Sequence, residues 1–136
     1  MSGTLKLEIV TPEGVAYSEH VEMVTLPGSE GEMGVYPLHA PFMIEIVSGE
    51  LTVRKGGHEV FLAVGDGFAE ITGDHVSVLT DMAIKADSID EAKAEEARHR
   101  AEARLREKLS DAEVATVNAA LAHSLAQLQV KKRHRR

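Results

Sequence analysis

Residues 51–79, LTVRKGGHEVFLAVGDGFAEITGDHVSVL, decide the fold. Lys55-Gly56-Gly57-His58 separates the run Leu51–Arg54 from Glu59–Val64. Gly73-Asp74 separates Phe68–Thr72 from His75–Leu79. Short glycine-bearing links between alternating apolar runs predict β-hairpins. The alternation continues upstream, where Leu5, Leu7 and Ile9 face one way with Lys6 and Glu8 between them, and Val21 and Met23 bracket Glu22. Short strands with a turn signal every eight to twelve residues predict a β-sandwich or barrel. Strands do not alternate with helices here, which argues against a parallel α/β sheet.

At Asp87 the period changes. From there to about Val130 the chain has no Gly and no Pro, and Ala, Glu, Arg, Lys and Leu dominate. Ser88-Ile-Asp-Glu91 and Ser110-Asp-Ala-Glu113 both have the S-x-x-E form of a capping box. They predict two helices with a tight turn near Leu109–Asp111. The fold class is therefore α+β, with an antiparallel β-sandwich over 1–86 and an α-helical hairpin with a basic tail over 87–136. On the first helix Glu96–Arg100, Glu102–Arg106 and Glu95–Arg98 are spaced to pair. Lys93, Arg100, Arg104 and Lys108 share one face, and Ala97, Ala101, Leu105 and Leu109 another. The second helix carries a small stripe (Ala115, Ala119, Ala122, Ala126) beside a large one (Val114, Val117, Leu121, Leu125, Leu128). Alanines bury little area, and helices of about twenty residues are marginal alone in water. Such a hairpin needs a surface to lie on and can leave it.

Charge is unevenly spread. The net charge is −7, but residues 1–86 hold four bases against thirteen acids, and residues 87–136 hold eleven bases against nine. An acidic front and a basic back suit different partners. The chain has no Cys, which excludes disulfides, thiolate metal sites and a Cys nucleophile. Residues 1–10, MSGTLKLEIV, lack the basic region and long apolar run of a signal peptide. No segment approaches the ~20 apolar residues of a membrane span.

Residues 26–43, LPGSEGEMGVYPLHAPFM, crowd three Gly and three Pro into one stretch. This reads as a long loop held in one shape, presenting Glu30, Glu32 and His39. A metal role for His39 would need companion ligands, yet the seven His are scattered singly. The default for His39 is a loop hydrogen bond or a partner contact, with a sandwich-fold metalloenzyme as the alternative. No nucleophile elbow, P-loop or dinucleotide fingerprint occurs, so no catalytic residue and no metal is expected. The tail KKRHRR could bind nucleic acid or anionic lipid, but a solvated, frayed end is the expectation.

Gly28-Ser-Glu-Gly-Glu-Met-Gly-Val-Tyr-Pro-Leu-His-Ala-Pro41, Val78-Leu-Thr-Asp-Met-Ala83 and Ile89-Asp-Glu-Ala-Lys-Ala94 carry a resemblance. The chain resembles the epsilon subunit of bacterial and chloroplast F-type ATP synthases from Leu5 to about Gln129. The resemblance implies two five-stranded sheets and a two-helix hairpin. It implies a non-catalytic rotor subunit of the central stalk, at the cytoplasmic face of the bacterial inner membrane. Its partners would be the gamma subunit, the c-ring and, through an extended hairpin, the catalytic alpha and beta subunits; nucleic acid would not be one. Ser29, Glu30, Glu32 and His39 match the c-ring contact. Lys93, Arg98, Arg100, Arg104 and Lys108 match a basic face that inhibits ATP hydrolysis when the hairpin extends. Some family members bind ATP through an [IL]-D-x-x-R-A motif, matched here by Ile89, Asp90, Lys93 and Ala94. Lys93 replaces the arginine and loses its bidentate fork, and residues 110–130 contain no Arg. No cofactor and no tight ATP sensing are therefore expected.

Overall fold

The computed structural model describes residues 3–134. Arg135 and Arg136, the end of the basic tail, lie outside the described residues, as do Met1 and Ser2. Ten strands come first: β1 Leu5–Thr11, β2 Gly14–Val21, β3 Met23–Gly28, β4 Gly31–Val35, β5 His39–Ile46, β6 Gly49–Lys55, β7 His58–Val64, β8 Gly67–Gly73, β9 His75–Thr80 and β10 Ala83–Lys85. A 3-10 turn, Ala86–Ser88, leads to helices α1 Glu91–Arg104 and α2 Asp111–Arg133.

The sheet path divides into two five-stranded layers, β10-β7-β6-β3 with β4 beside β3, and β5-β8-β9-β1-β2. They join at a corner where Gly28 pairs with Ile46. β1 and β9 run parallel. Between the layers Leu5, Leu7, Ile9, Val24, Leu26, Leu51, Val53, Ile71 and Val78 are fully buried. Each such side chain contributes roughly 1.5–3 kcal/mol of hydrophobic stabilisation. The predicted hairpins form with the turn chemistry their glycines allow. Lys55 pairs with His58 around Gly56 (φ 60°) and Gly57 (φ 83°), the two positive angles that a type I′ turn requires. Thr72 pairs with His75 around Gly73 at φ 59° and Asp74.

Residues 26–43 are not a long loop. Leu26–Gly28 end β3, Gly31–Val35 form β4 and β5 begins at His39, leaving short connections at 29–30 and 36–38. The glycines answer crowding at the corner between layers. A β-carbon on Gly28 would stand 2.6 Å from Ile44 Cδ1 and 2.7 Å from the Gly31 carbonyl oxygen, and one on Gly34 would stand 2.9 Å from Met23 Cε. Pro27 still serves the ladder, because its carbonyl accepts from the Val47 N–H at 2.9 Å.

The first helix starts later than its capping motif predicts. Ser88 lies in the 3-10 turn, and its hydroxyl donates to Asp87 Oδ1 at 3.4 Å. Asp90 is the N-cap and accepts the Lys93 N–H at 3.1 Å. Ile89 between them is extended and buried, and that burial moves the cap two residues on. The second capping box forms in full: Ser110 accepts the Glu113 N–H at 3.2 Å, and Glu113 Oε1 accepts the Ser110 N–H at 2.9 Å. α1 ends at Arg104, so the helices are joined by residues 105–110 and not by a tight turn.

Gly28→Ala should destabilise the sandwich by about 1–3 kcal/mol, the usual cost of forcing an atom into a packed site. Urea unfolding followed by circular dichroism measures it.

Candidate functional site

Three surfaces carry the chemistry of this chain. The first is the β3–β4 turn. Gly31 at φ 120° permits the reversal, and Ser29, Glu30 and Glu32 stand exposed around it. The Ser29 N–H donates to the Glu45 carbonyl at 2.9 Å, which fixes the turn against the end of β5. His39 is at the opposite end of that strand, facing Gly73 of the β8–β9 turn. Its Nδ1 lies 2.6 Å from the Ala40 carbonyl oxygen. The structure thus gathers Ser29, Glu30 and Glu32 and leaves His39 nearly a strand length away, roughly 20 Å along β5. Among the described residues no three His, Asp or Glu side chains converge as a metal site would need.

The second surface is apolar and lies on the outer face of β8-β9-β1-β2. Phe68 pairs with Leu79, Leu79 with Val10, and Val10 with Val15. Paired positions share a face, so the four make a continuous row. Phe68, Leu79 and Val15 are 55%, 58% and 61% exposed. Glu45 faces Phe68 and ends the row with an acid. An exposed row of this kind marks an interaction site more often than scattered apolar residues do. Sequence alone does not single out this row: hairpin spacing sets only Phe68 opposite Leu79 across Gly73-Asp74, and Val10 joins through the long-range parallel pairing of β1 with β9.

The third surface is the seam between hairpin and sandwich. The C-terminal half of α2 packs on β7 and β6, and α1 packs on α2. Ala126 and Val130 meet Ala63 and Ile89, with Phe61, Met82, Ile84 and Ala86 around them. Of the predicted stripes, Val117, Ala126 and Leu128 are buried, while Ala115 and Ala119 are exposed and Leu125 is 46% exposed. Lys131 Nζ donates to the Ala86 carbonyl at 3.2 Å, and Arg133 and His134 reach Glu50. The described part of the basic tail is thus helical and engaged, not frayed. Its cations also suit the negative end of the α2 dipole.

The basic residues of the hairpin divide by environment. Lys93, Arg100 and Lys108 are exposed, and no ion pair among the described residues holds them. Lys108 lies beyond the end of α1, so it does not continue the face of Lys93, Arg100 and Arg104. Arg98 turns to Glu95 at 2.7 Å and Glu102 at 3.6 Å, and its guanidinium hydrogen bond holds the Glu95 carboxyl below its ordinary value. Arg104 faces Glu107 and Glu113 at 3.5 and 3.7 Å. The spacings Glu96–Arg100 and Glu102–Arg106 do not close as ion pairs among the described residues. Three of the four ATP-motif residues have a structural task. Ile89 anchors the seam, Asp90 caps α1, Ala94 is buried, and Lys93 remains exposed.

Residues 4–86 match the family described as ATP synthase, Delta/Epsilon chain, beta-sandwich domain, and residues 87–132 match its long alpha-helix domain. The chain belongs to the ATP synthase delta/epsilon family. The ATP synthase epsilon chain of Desulforamulus reducens is 42% identical over 121 residues, covering 89% of this chain and 92% of its own. That of Syntrophobacter fumaroxidans is 43% identical over 130 residues, covering 96% and 97%. A chain of the Euglena gracilis mitochondrial ATP synthase, in a structure of its OSCP/F1/c-ring, shares the fold with a TM-score of 0.74 at 24% identity, covering 95% of this chain and 81% of that one. A chain of the Tetrahymena thermophila central stalk and c-ring structure superposes with a TM-score of 0.59 at 9% identity, covering 93% and 96%. Membership makes this epsilon-type chain a non-catalytic subunit of ATP synthase. No helix among the described residues is long and apolar enough to cross a membrane.

The Ser110 cap generates a prediction with a definite sign. The backbone N–H and then the side chain of Ser110 hold the Glu113 carboxyl below its ordinary value. A lowered carboxylate stabilises the fold above its unfolded value, ~4.3, and that stability is lost as pH falls through the folded value. Ser110→Ala should weaken this acid dependence of hairpin helicity and lower thermal stability by about 1 kcal/mol. Helicity followed through a pH titration and a thermal melt reads both.

Proposed function

We propose that this chain is the rotor subunit that couples the gamma subunit to the c-ring, and that its helical hairpin regulates ATP hydrolysis. The observation that carries the reading is the hairpin seam. Two of its four buried members, Ala63 and Ala126, are alanines, and small side chains give an element that docks without being welded. A docked-to-released shift from 99:1 to 1:99 needs about 5.5 kcal/mol, within the reach of a protein partner.

Each surface takes a part in this account. The stiff sandwich transmits torque. Its apolar row Val15–Val10–Leu79–Phe68 fits the gamma subunit. The acidic turn of Ser29, Glu30 and Glu32 fits the polar loops of the c-ring, with His39 as a separate contact at the other end of β5. Lys93, Arg100, Arg104 and Lys108 face acidic segments of the catalytic subunits when the hairpin extends, and Arg98 joins them by exchanging its carboxylates on α1 for theirs. Through these partners the chain sits at the cytoplasmic face of the bacterial inner membrane, and its role calls for no resident cofactor. ATP binding to the hairpin is at most weak, because Ile89, Asp90 and Ala94 are occupied in the fold and Lys93 offers a single ammonium.

Deleting residues 88–136 should raise the ATPase activity of the assembled enzyme and leave proton coupling intact; unchanged activity would remove the inhibitory role. A photoactivatable crosslinker on Glu32→Cys should capture a c subunit, and capture of the gamma subunit alone would reassign the turn.

A further inference from the structure

Besides Lys131 on the Ala86 carbonyl, two side-chain fastenings hold the hairpin beside its apolar seam. In one, His123 Nε2 of α2 lies 2.9 Å from Asp81 Oδ1, in the connection between β9 and β10. In the other, Glu50 Oε1 of β6 meets His134 Nε2 at 2.9 Å and Arg133 Nη1 at 3.3 Å. The His134 ring also stacks on Phe61 with centroids 3.5 Å apart.

The first fastening depends on a residue in neither helix. Gly65 is buried, and its N–H donates to the Met82 carbonyl at 2.8 Å. Its φ is not in the left-handed region, so conformational freedom does not explain the glycine. Space does. A β-carbon there would overlap Asp81 Oδ1 and stand 2.9 Å from His123 Nε2. The atoms it would displace are the ends of two side chains, half-exposed Asp81 and His123 at 25% side-chain exposure. They can swing away without disturbing the strands. The missing side chain at 65 therefore makes room for the pair and for little else.

We infer that Gly65, Asp81 and His123 form a latch that sets how often the hairpin leaves the sandwich. The inference rests on the reading of the hairpin as a mobile regulatory element and names the residues that bias it. The Asp81–His123 pair is partly exposed, so its contribution is that of a surface pair. Breaking it should raise the released-to-docked ratio about two- to fivefold, without unfolding either part. Gly65→Ala and His123→Ala remove the same contact by different routes, so their effects should not add.

The chain contains no Cys, which allows a direct test on the full-length protein. Ala126→Cys puts one small thiol in the seam, and its labelling rate with a thiol reagent reports release. Ala69→Cys puts one in the sandwich core and reports global opening. Both His123→Ala and Gly65→Ala should speed labelling at 126 by about two- to fivefold, and the double variant no more than the faster single one. Labelling at 69 should stay unchanged. An unchanged rate at 126 in His123→Ala, or an equal rise at 69, would overturn the latch. The same variants in the assembled enzyme separate the two ideas. Faster labelling with unaltered ATPase activity would leave the latch standing and remove the regulatory reading; no change in labelling would remove the latch and leave that reading to the deletion.

Discussion

Ile89 and the alanine pair Ala63 and Ala126 set the terms for everything the helical part of this chain does. Ile89 is buried just before the Asp90 cap, so α1 cannot begin until the chain has been pinned to the sandwich. Ala63 and Ala126 let α2 approach β7 closely but supply little apolar area. The sandwich has no such economy. Its interior is a continuous set of fully buried Leu, Ile and Val side chains drawn from both five-stranded layers. One chain thus holds a stiff body and a lightly attached arm.

That contrast explains where polar contacts appear. Between the sheet layers the core is aliphatic apart from Tyr17. At the seam, by comparison, the C-terminal half of α2 adds Lys131 on the Ala86 carbonyl, Arg133 and His134 on Glu50, and His123 on Asp81. Each of these is a partly exposed contact worth little singly. Together they give orientation to a helix whose apolar contact alone would leave its register poorly specified. The basic end of the chain, which composition reads as a solvated tail, is in its described part the fastening of the hairpin.

Much of the sandwich was legible because its signals are local. Gly56-Gly57 and Gly73-Asp74 name their turns, and Leu5, Leu7 and Ile9 announce a half-buried strand. Residues 26–43 misled for a physical reason. Dense Gly and Pro ordinarily mark irregular chain, yet Gly28 and Gly34 are there because Ile44, Met23 and the Gly31 carbonyl stand too close for a β-carbon. That is a tertiary fact, invisible in the stretch itself. The same holds for Ser88, whose capping motif is sound in isolation and is overruled by burial of Ile89 next to it. His39 and Glu32 are seven residues apart in sequence and at opposite ends of a strand in space. The Asp81–His123 pair spans 42 residues and had no local signal at all.

The central claim is that hairpin and sandwich are separable in stability although they are packed together. Native-state hydrogen exchange on the full chain tests it most directly. Helices of 14 and 23 residues should lose protection once they leave their surface. The account predicts that amides of α1 and α2 exchange through openings of lower free energy than amides of β1, β6 and β8. A single common opening free energy for helices and strands would contradict it.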